Sequence, residues 1–226
     1  MKKALFWDFD GTLVYHSKLW TASMYRILMD LGYIVEEEQV RLHMRSGYSW
    51  HNPEISYIEN TGAKWWDSLF GHFKILFEKI SVTGRDTVRI RELFIEKILN
   101  CRNYNLYEDA EETLEKCLEA GYKNYIVSNN YPELEQVIKD LGIPHFFSGY
   151  IVSANLGYEK PRIEIFEYAK RLAGNPDICY MIGDNPVADI QGGRSAGMKT
   201  ISVHNENDGQ ADHKCGSLSL IPGLLI

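Results

Sequence analysis

The chain has 226 residues, room for one large domain or for a core with a smaller domain inserted. Hydrophobic residues make up 45%, which supports a sizeable core and excludes global disorder. The formal net charge of −7 argues against a nucleic-acid partner, because a phosphate backbone needs a basic face.

After Met1-Lys2-Lys3 comes the apolar run Ala4–Trp7, which predicts a strand buried on both faces. Four apolar residues are too few for a secretory leader, and no stretch approaches the roughly 18 needed to span a membrane. Cys101, Cys117, Cys179 and Cys215 are widely spaced with no CxxC pair, which argues against a zinc site or a disulfide framework. A soluble protein with reduced thiols, in the cytoplasm, as a monomer or a homodimer, is the expectation.

Residues 15–104 show no strand–helix alternation. Helical periodicity predicts helices over Leu19–Leu31, Glu36–Met44, Trp65–Ile80 and Val88–Asn100, hence an all-helical inserted domain. Four of the five tryptophans fall there, and residues 15–105 carry 12 Lys+Arg against 11 Asp+Glu, so the net negative charge resides in the remainder. From about residue 105 the chain alternates again. Strands are predicted at Tyr125–Val127, Tyr150–Val152, Ile178–Ile182 and Thr200–Val203. Helices are predicted at Glu111–Glu119, from Pro132 to Leu141, at Arg162–Leu172 and at Val187–Ala196. That pattern predicts an α/β fold, a parallel sheet flanked by helices, with residues 1–14 and 105–226 as its core. The polar tail His204–His213 is expected to be looped, and Ser217–Ile226 to form a last apolar element.

The residues that carry chemistry cluster at strand ends. Asp8-Phe9-Asp10-Gly11-Thr12-Leu13 follows the first strand, Ser128-Asn129-Asn130 the second, and Gly183-Asp184 the fourth, with Asp189 five residues on and Lys160-Pro161 in between. Singly, each has an ordinary alternative: a polar turn, a helix cap, a solvated lysine. Together they form a set suited to phosphate esters. Crowded carboxylates need a cation, Mg²⁺ prefers hard oxygen ligands, Lys160 adds a second positive charge, and Ser128 can donate to phosphoryl oxygens.

This pattern resembles the haloacid dehalogenase superfamily of hydrolases. Asp8–Leu13 matches its first motif, Ser128 the second, Lys160 the third, and Gly183-Asp184 with Asp189 the fourth. Ser153–Pro161 follows the context of the branch whose helical cap lies between the first two motifs. The resemblance implies a Rossmann-like core and a two-step reaction. Asp8 would be the nucleophile and form an aspartyl-phosphate, and Asp10 would be the general acid and then base. It also implies that Asp8, Asp184 and the main-chain carbonyl of Asp10 hold Mg²⁺, with Asp189 a further ligand or an orienting group. Lys160 would bridge Asp8 and the phosphoryl group, and Thr12 and Asn129 would help bind phosphate.

Dehalogenases of the family lack the second Asp of the first motif. Asp10 is present, so phosphoryl transfer is expected over carbon–halogen cleavage. Lys18, the cap lysine nearest the first motif, is read as a rim residue, not as a Schiff base. His16, at the hinge, leads the candidate pocket residues, followed by Lys18, Trp20, Arg45, Trp50 and His51. The expected activity is a Mg²⁺-dependent phosphatase of a small phosphorylated metabolite such as a sugar phosphate, a nucleotide or phosphoglycolate. A sugar-phosphate mutase and a non-catalytic phosphate-binding protein of the same fold are the alternatives.

Overall fold

The computed structural model describes residues 1–16, 18–204 and 210–225, with Ser46 by its backbone alone. Six strands form one sheet in the order β5-β4-β1-β6-β7-β8: β1 is Lys3–Trp7, β4 Lys123–Ser128, β5 Phe147–Val152, β6 Ile178–Gly183, β7 Lys199–Val203 and β8 His213–Cys215. Every neighbouring pair is parallel. The central strand explains the layering. Leu5 and Trp7 belong to one buried cluster, and Ala4 and Phe6 to another on the opposite face. Strand β6 divides in the same way, Tyr180 and Ile182 against Cys179 and Met181. Alternate side chains of a strand point to opposite faces, so an unbroken apolar run is what a doubly covered sheet requires.

The two halves of the sheet diverge from β1, with β4 on one side and β6 on the other. Trp7 is in register with Ile126 and with Ile182, which brings the carboxyl ends of the three strands together. This is the switch point where open α/β sheets bind ligands.

A two-stranded antiparallel ribbon, β2 (Val14–Tyr15) with β3 (Asn105–Leu106), marks where the chain leaves for the helical segment and returns. Between them lie α1 (Leu19–Asp30), α2 (Glu37–Gly47), α3 (Ala63–Lys79) and α4 (Gly84–Leu99). Their apolar faces, including Trp65, Trp66, Phe73 and Phe94, join Leu5 and Trp7 in one continuous buried cluster. No helix among the described residues is long and apolar enough to cross a membrane.

On the sheet, α5 (Ala110–Glu119), α6 (Leu134–Asp140) and α8 (Ile163–Leu172) match the expected helices to within a few residues, and the short α7 (Ser153–Leu156) is one the sequence pattern did not suggest. Two expectations need correction. The helix predicted over Val187–Ala196 is a π-helical turn, Pro186–Gln191, followed by the one-turn α9, Gly192–Ser195. Asn185 starts the turn, its side chain accepting from the N–H groups of Val187 and Ala188, and its carbonyl accepts from both Asp189 and Ile190. The second correction is β8, a sixth strand that begins at His213 within the tail expected to be looped. Of that tail, residues 205–209 lie outside the described residues, as does Ile226 of the final apolar element, whose Leu218 and Ile221 are buried.

Candidate active site

The end of β1 delivers Asp8, anchored by its N–H donating to the carbonyl of Ile182 at 2.9 Å. The chain then turns at Gly11, where φ is +80°, a region open to glycine with little strain. A side chain there would also have no room, since a Cβ would stand 2.6 Å from Asp184 Oδ2. Gly183, at the end of β6, is compact for a related reason: a Cβ would fall 2.1 Å from Asp189 Oδ2. These two glycines let Asp184 and Asp189 close on Asp8.

Lys160 is 2% exposed, and its Nζ lies 2.9 Å from Asp8 Oδ1 and 2.6 Å from Asp189 Oδ1. Burial works against its charge, but Asp189 and Asp8 outweigh that and raise its pKa, so it stays an ammonium. Asp189 is fully engaged, its Oδ2 accepting from the N–H of Asn185 at 3.0 Å, and burial pushes its carboxyl up. Burial first, and then the Asp8 charge, push Asp184 up to about 6. One oxygen from each of Asp8, Asp184 and Asp189 lies within 4.8 Å of the others. Hard anionic oxygens gathered this closely, with a carboxyl held above its ordinary range, suit a small divalent cation such as Mg²⁺.

Asp10 faces the same cavity but is gripped separately. Asn130 Nδ2 donates to its Oδ2 at 2.7 Å, and His16 Nε2 lies 3.0 Å from its Oδ1. Burial opposes the charge of His16, yet the hydrogen bond and charge of Asp10 raise its pKa.

The remaining expected residues fall in two groups. Ser128 lines the cavity at the end of β4, as do Asn129, Trp20, Trp50 and His51. Asn129 also clamps the lysine loop, donating to the carbonyl of Lys160 at 3.0 Å and accepting from its N–H at 2.7 Å. Thr12, expected beside phosphate, is fully buried; its hydroxyl donates to Asp184 Oδ1 at 3.3 Å and so orients that carboxylate. Lys18 and Arg45 do not line the cavity. The Lys18 side chain is 76% exposed and points its ammonium at Glu37, 4.0 Å away.

Two residues beyond those expectations matter. Asn130 holds Asp10, and its only sequence signal is its place two residues after Ser128. Glu159, next in sequence to Lys160, is wholly buried, its Oε1 accepting from Ser49 and from Tyr57, both at 2.5 Å. The same loop is tied to the helical segment by Tyr57 N–H on the Gly157 carbonyl and Gly62 N–H on that of Ala154. A second cavity, about 490 Å³, lies among Tyr48, Tyr57, Trp65 and His72, away from these carboxylates.

Strand ends, crowded carboxylates and a buried lysine define a family, and the chain belongs to it: residues 2–197 match the haloacid dehalogenase-like hydrolases. The chain is similar to the glyceraldehyde 3-phosphate phosphatase of Methanothermobacter thermautotrophicus, 29% identical over 94% of this chain and 91% of that one. It is also similar to a phosphoserine phosphatase of Thermus thermophilus, 30% identical over 58% of this chain and 53% of the other. Among solved structures, a 2-haloacid dehalogenase from Pseudomonas syringae superposes with a TM-score of 0.72 at 22% identity, covering 99% of this chain and 98% of that one. A β-phosphoglucomutase from Clostridium difficile does so with 0.63 at 19%, covering 98% and 93%. At such identities the structural likenesses establish the fold.

Proposed function

We propose that the chain hydrolyses a small phosphorylated metabolite in two steps through an aspartyl-phosphate on Asp8, with residues 15–104 acting as a cap over the site. Its class is phosphoric monoester hydrolase of the haloacid dehalogenase-like family. The observation that carries the reading is the pairing of a buried ammonium with a carboxylate at a strand end, Lys160 Nζ to Asp8 Oδ1 at 2.9 Å, beside a second carboxyl held apart by its own partners.

The Asp8 carboxylate attacks phosphorus, and the bond to the leaving oxygen breaks. Asp10 gives that oxygen a proton, then takes one from the water that cleaves the aspartyl-phosphate. Ser128 donates to a phosphoryl oxygen, and Lys160 neutralises charge on Asp8 and the phosphoryl group. Asp8, Asp184 and the main-chain carbonyl of Asp10 would hold Mg²⁺, which supplies charge neutralisation for the phosphoryl oxygens. Asp189, engaged by Lys160 and Asn185, orients its neighbours.

The test is Asp8→Asn assayed for inorganic phosphate release from a panel of phosphate esters with Mg²⁺ present. Loss of turnover by on the order of 10⁴ or more is expected, with an unchanged circular dichroism spectrum. Normal activity in the pure variant would falsify the nucleophile. Interconversion of sugar phosphates without phosphate release would instead mark a mutase.

A further inference from the structure

The cavity over Asp8 encloses about 410 Å³ and has two unlike ends. At one end stand Asp8, Asp10, Ser128, Lys160 and Asp184. The rest of its lining is Trp20, Trp50, His51 and Pro53 of the helical segment, with Val187 and Ala188 of the π-turn. A substrate with its phosphoryl group at Asp8 sets its leaving group against that part of the lining.

Among the described residues, this part of the lining carries no lysine or arginine. Lys160 is the sole lysine or arginine among the described residues lining the cavity, and Asp8 and Asp189 already engage it. Of the two lining histidines, His16 is bonded to Asp10. Burial, with Arg45 nearby, holds His51 below the ordinary imidazole range, so it is neutral at neutral pH. A carboxylate on the leaving group would lose water there without gaining a partner.

The carboxamides of Asn129 and Asn130, and the carboxamide oxygen of Asn185, are engaged as well. Asn129 holds the main chain of Lys160, and Asn130 holds Asp10 and accepts from the N–H of Tyr131. Asn185 Oδ1 caps the π-turn. A leaving group covered in hydroxyls meets few open partners.

What this lining does present is braced aromatic surface. Trp50 is stacked on Tyr48 with centroids 4.3 Å apart at 11° and on Trp65 at 6.0 Å and 24°, and Trp20 on Trp66 at 6.3 Å and 27°. The two indoles meet at 5.4 Å and 67°. Side chains already fixed by such packing receive a flat ring with little further ordering.

We infer that the substrate is a phosphomonoester whose leaving group carries a flat, uncharged ring, a nucleoside 5′-monophosphate in preference to a phosphorylated acid or sugar. This rests on the phosphatase reading of the same site.

The experiment measures kcat/KM of the full chain with Mg²⁺. Uridine and adenosine 5′-monophosphates and pyridoxal 5′-phosphate are compared with phosphoglycolate, phosphoserine, glyceraldehyde 3-phosphate and glucose 6-phosphate. The better nucleotide should lead every ring-free or sugar ester by about tenfold or more. If any of those esters equals it, the inference is overturned, and pyridoxal phosphate ahead of both nucleotides overturns the nucleoside assignment. Phosphate released without ring preference overturns this inference alone, whereas release from none overturns the phosphatase reading with it.

Trp50→Ala should lower the ratio of kcat/KM for the nucleotide over glyceraldehyde 3-phosphate by about tenfold, mainly through the nucleotide KM, and Trp50→Phe should restore most of it. An unchanged ratio in a folded variant counts against the ring contact. Should Trp50→Ala fail to fold, Trp50→Leu is read in the same way.

Discussion

His16 Nε2 lies 3.0 Å from Asp10 Oδ1, while the other oxygen of the same carboxyl accepts from Asn130 at 2.7 Å. The two partners reach Asp10 from different elements, His16 from the exit toward α1 and Asn130 from the loop after β4. The ring of Tyr104 meets that of His16 edge-on at 5.7 Å and braces it. Both oxygens of Asp10 are therefore oriented before substrate arrives, which a group moving protons to and from the reacting oxygens needs.

Removing one side of this grip should cost rate more than binding. Asn130→Ala is expected to lower kcat by about 10- to 100-fold and to change KM by less than about threefold, because in the proposed reaction Asp10 acts on the bond being broken. Steady-state kinetics on a variant with native circular dichroism checks it. Wild-type kcat would show that Asp10 needs no such support.

Gly11→Ala should be nearly inactive. The new methyl would stand 2.6 Å from Asp184 Oδ2 at a backbone φ of +80°, so either the turn or the carboxylate must move. A shift of about 1 Å in a catalytic group can lower the rate by about 100-fold. The loss should be accompanied by a higher Mg²⁺ requirement, read from activity against metal concentration.

Metal removal should abolish turnover and lower stability together. EDTA should silence the enzyme, and added Mg²⁺ should restore it. A saturating ion that relieves repulsion among Asp8, Asp184 and Asp189 should raise Tm by about 5 °C or more. Full activity in a chelated, metal-free sample contradicts the proposed site.

Glu159 supplies a pH dependence. Burial raises its carboxyl pKa, against the opposing hydrogen bonds of Ser49, Tyr57 and Ser153 and the charge of Lys160. The native state thus keeps this proton to higher pH than the unfolded chain does, and the Glu159 contribution to stability falls as pH rises above the unfolded value of about 4.3. Glu159→Gln retains an oxygen acceptor for Ser49 and Tyr57 and removes the charge. The variant should melt a few degrees above wild type at pH 8, with the gap closing toward pH 4 to 5. A gap independent of pH, measured by thermal unfolding, would refute the titration.

Much of the fold was legible because its signals are local. The five strands expected from apolar runs, Ala4–Trp7 among them, are all in the sheet. The sixth, His213–Cys215, is a three-residue edge strand with two polar members, too short to show a period. The π-turn at Pro186–Gln191 reads as an ordinary helix in the pattern. What distinguishes it is the double engagement of the Asn185 carbonyl, a feature of main-chain geometry. In the site, Asp8, Asp10 and Asp184 announced themselves by position at or just past strand ends, and Lys160 by its place before Pro161 at the start of a helix. Thr12 did not announce that it would face Asp184, nor Glu159 that it would be buried, since its partners Ser49 and Tyr57 lie 110 and 102 residues away.

The amino-acid sequence by itself determined the α/β alternation, the helical insertion and the chemical types standing at each strand end, since hydrophobic period and glycine placement act within a dozen residues. Only the tertiary structure decided which of those groups meet. The order β4-β1-β6 sets three strand ends side by side and so pairs Asn130 with Asp10, while Asn129 after β4 holds the loop between α7 and α8 so that Lys160 meets Asp8. Whether a polar side chain is a solvated ornament or a buried working part depends on the free energy of desolvation against its partners, and those partners are chosen by the packing of distant segments.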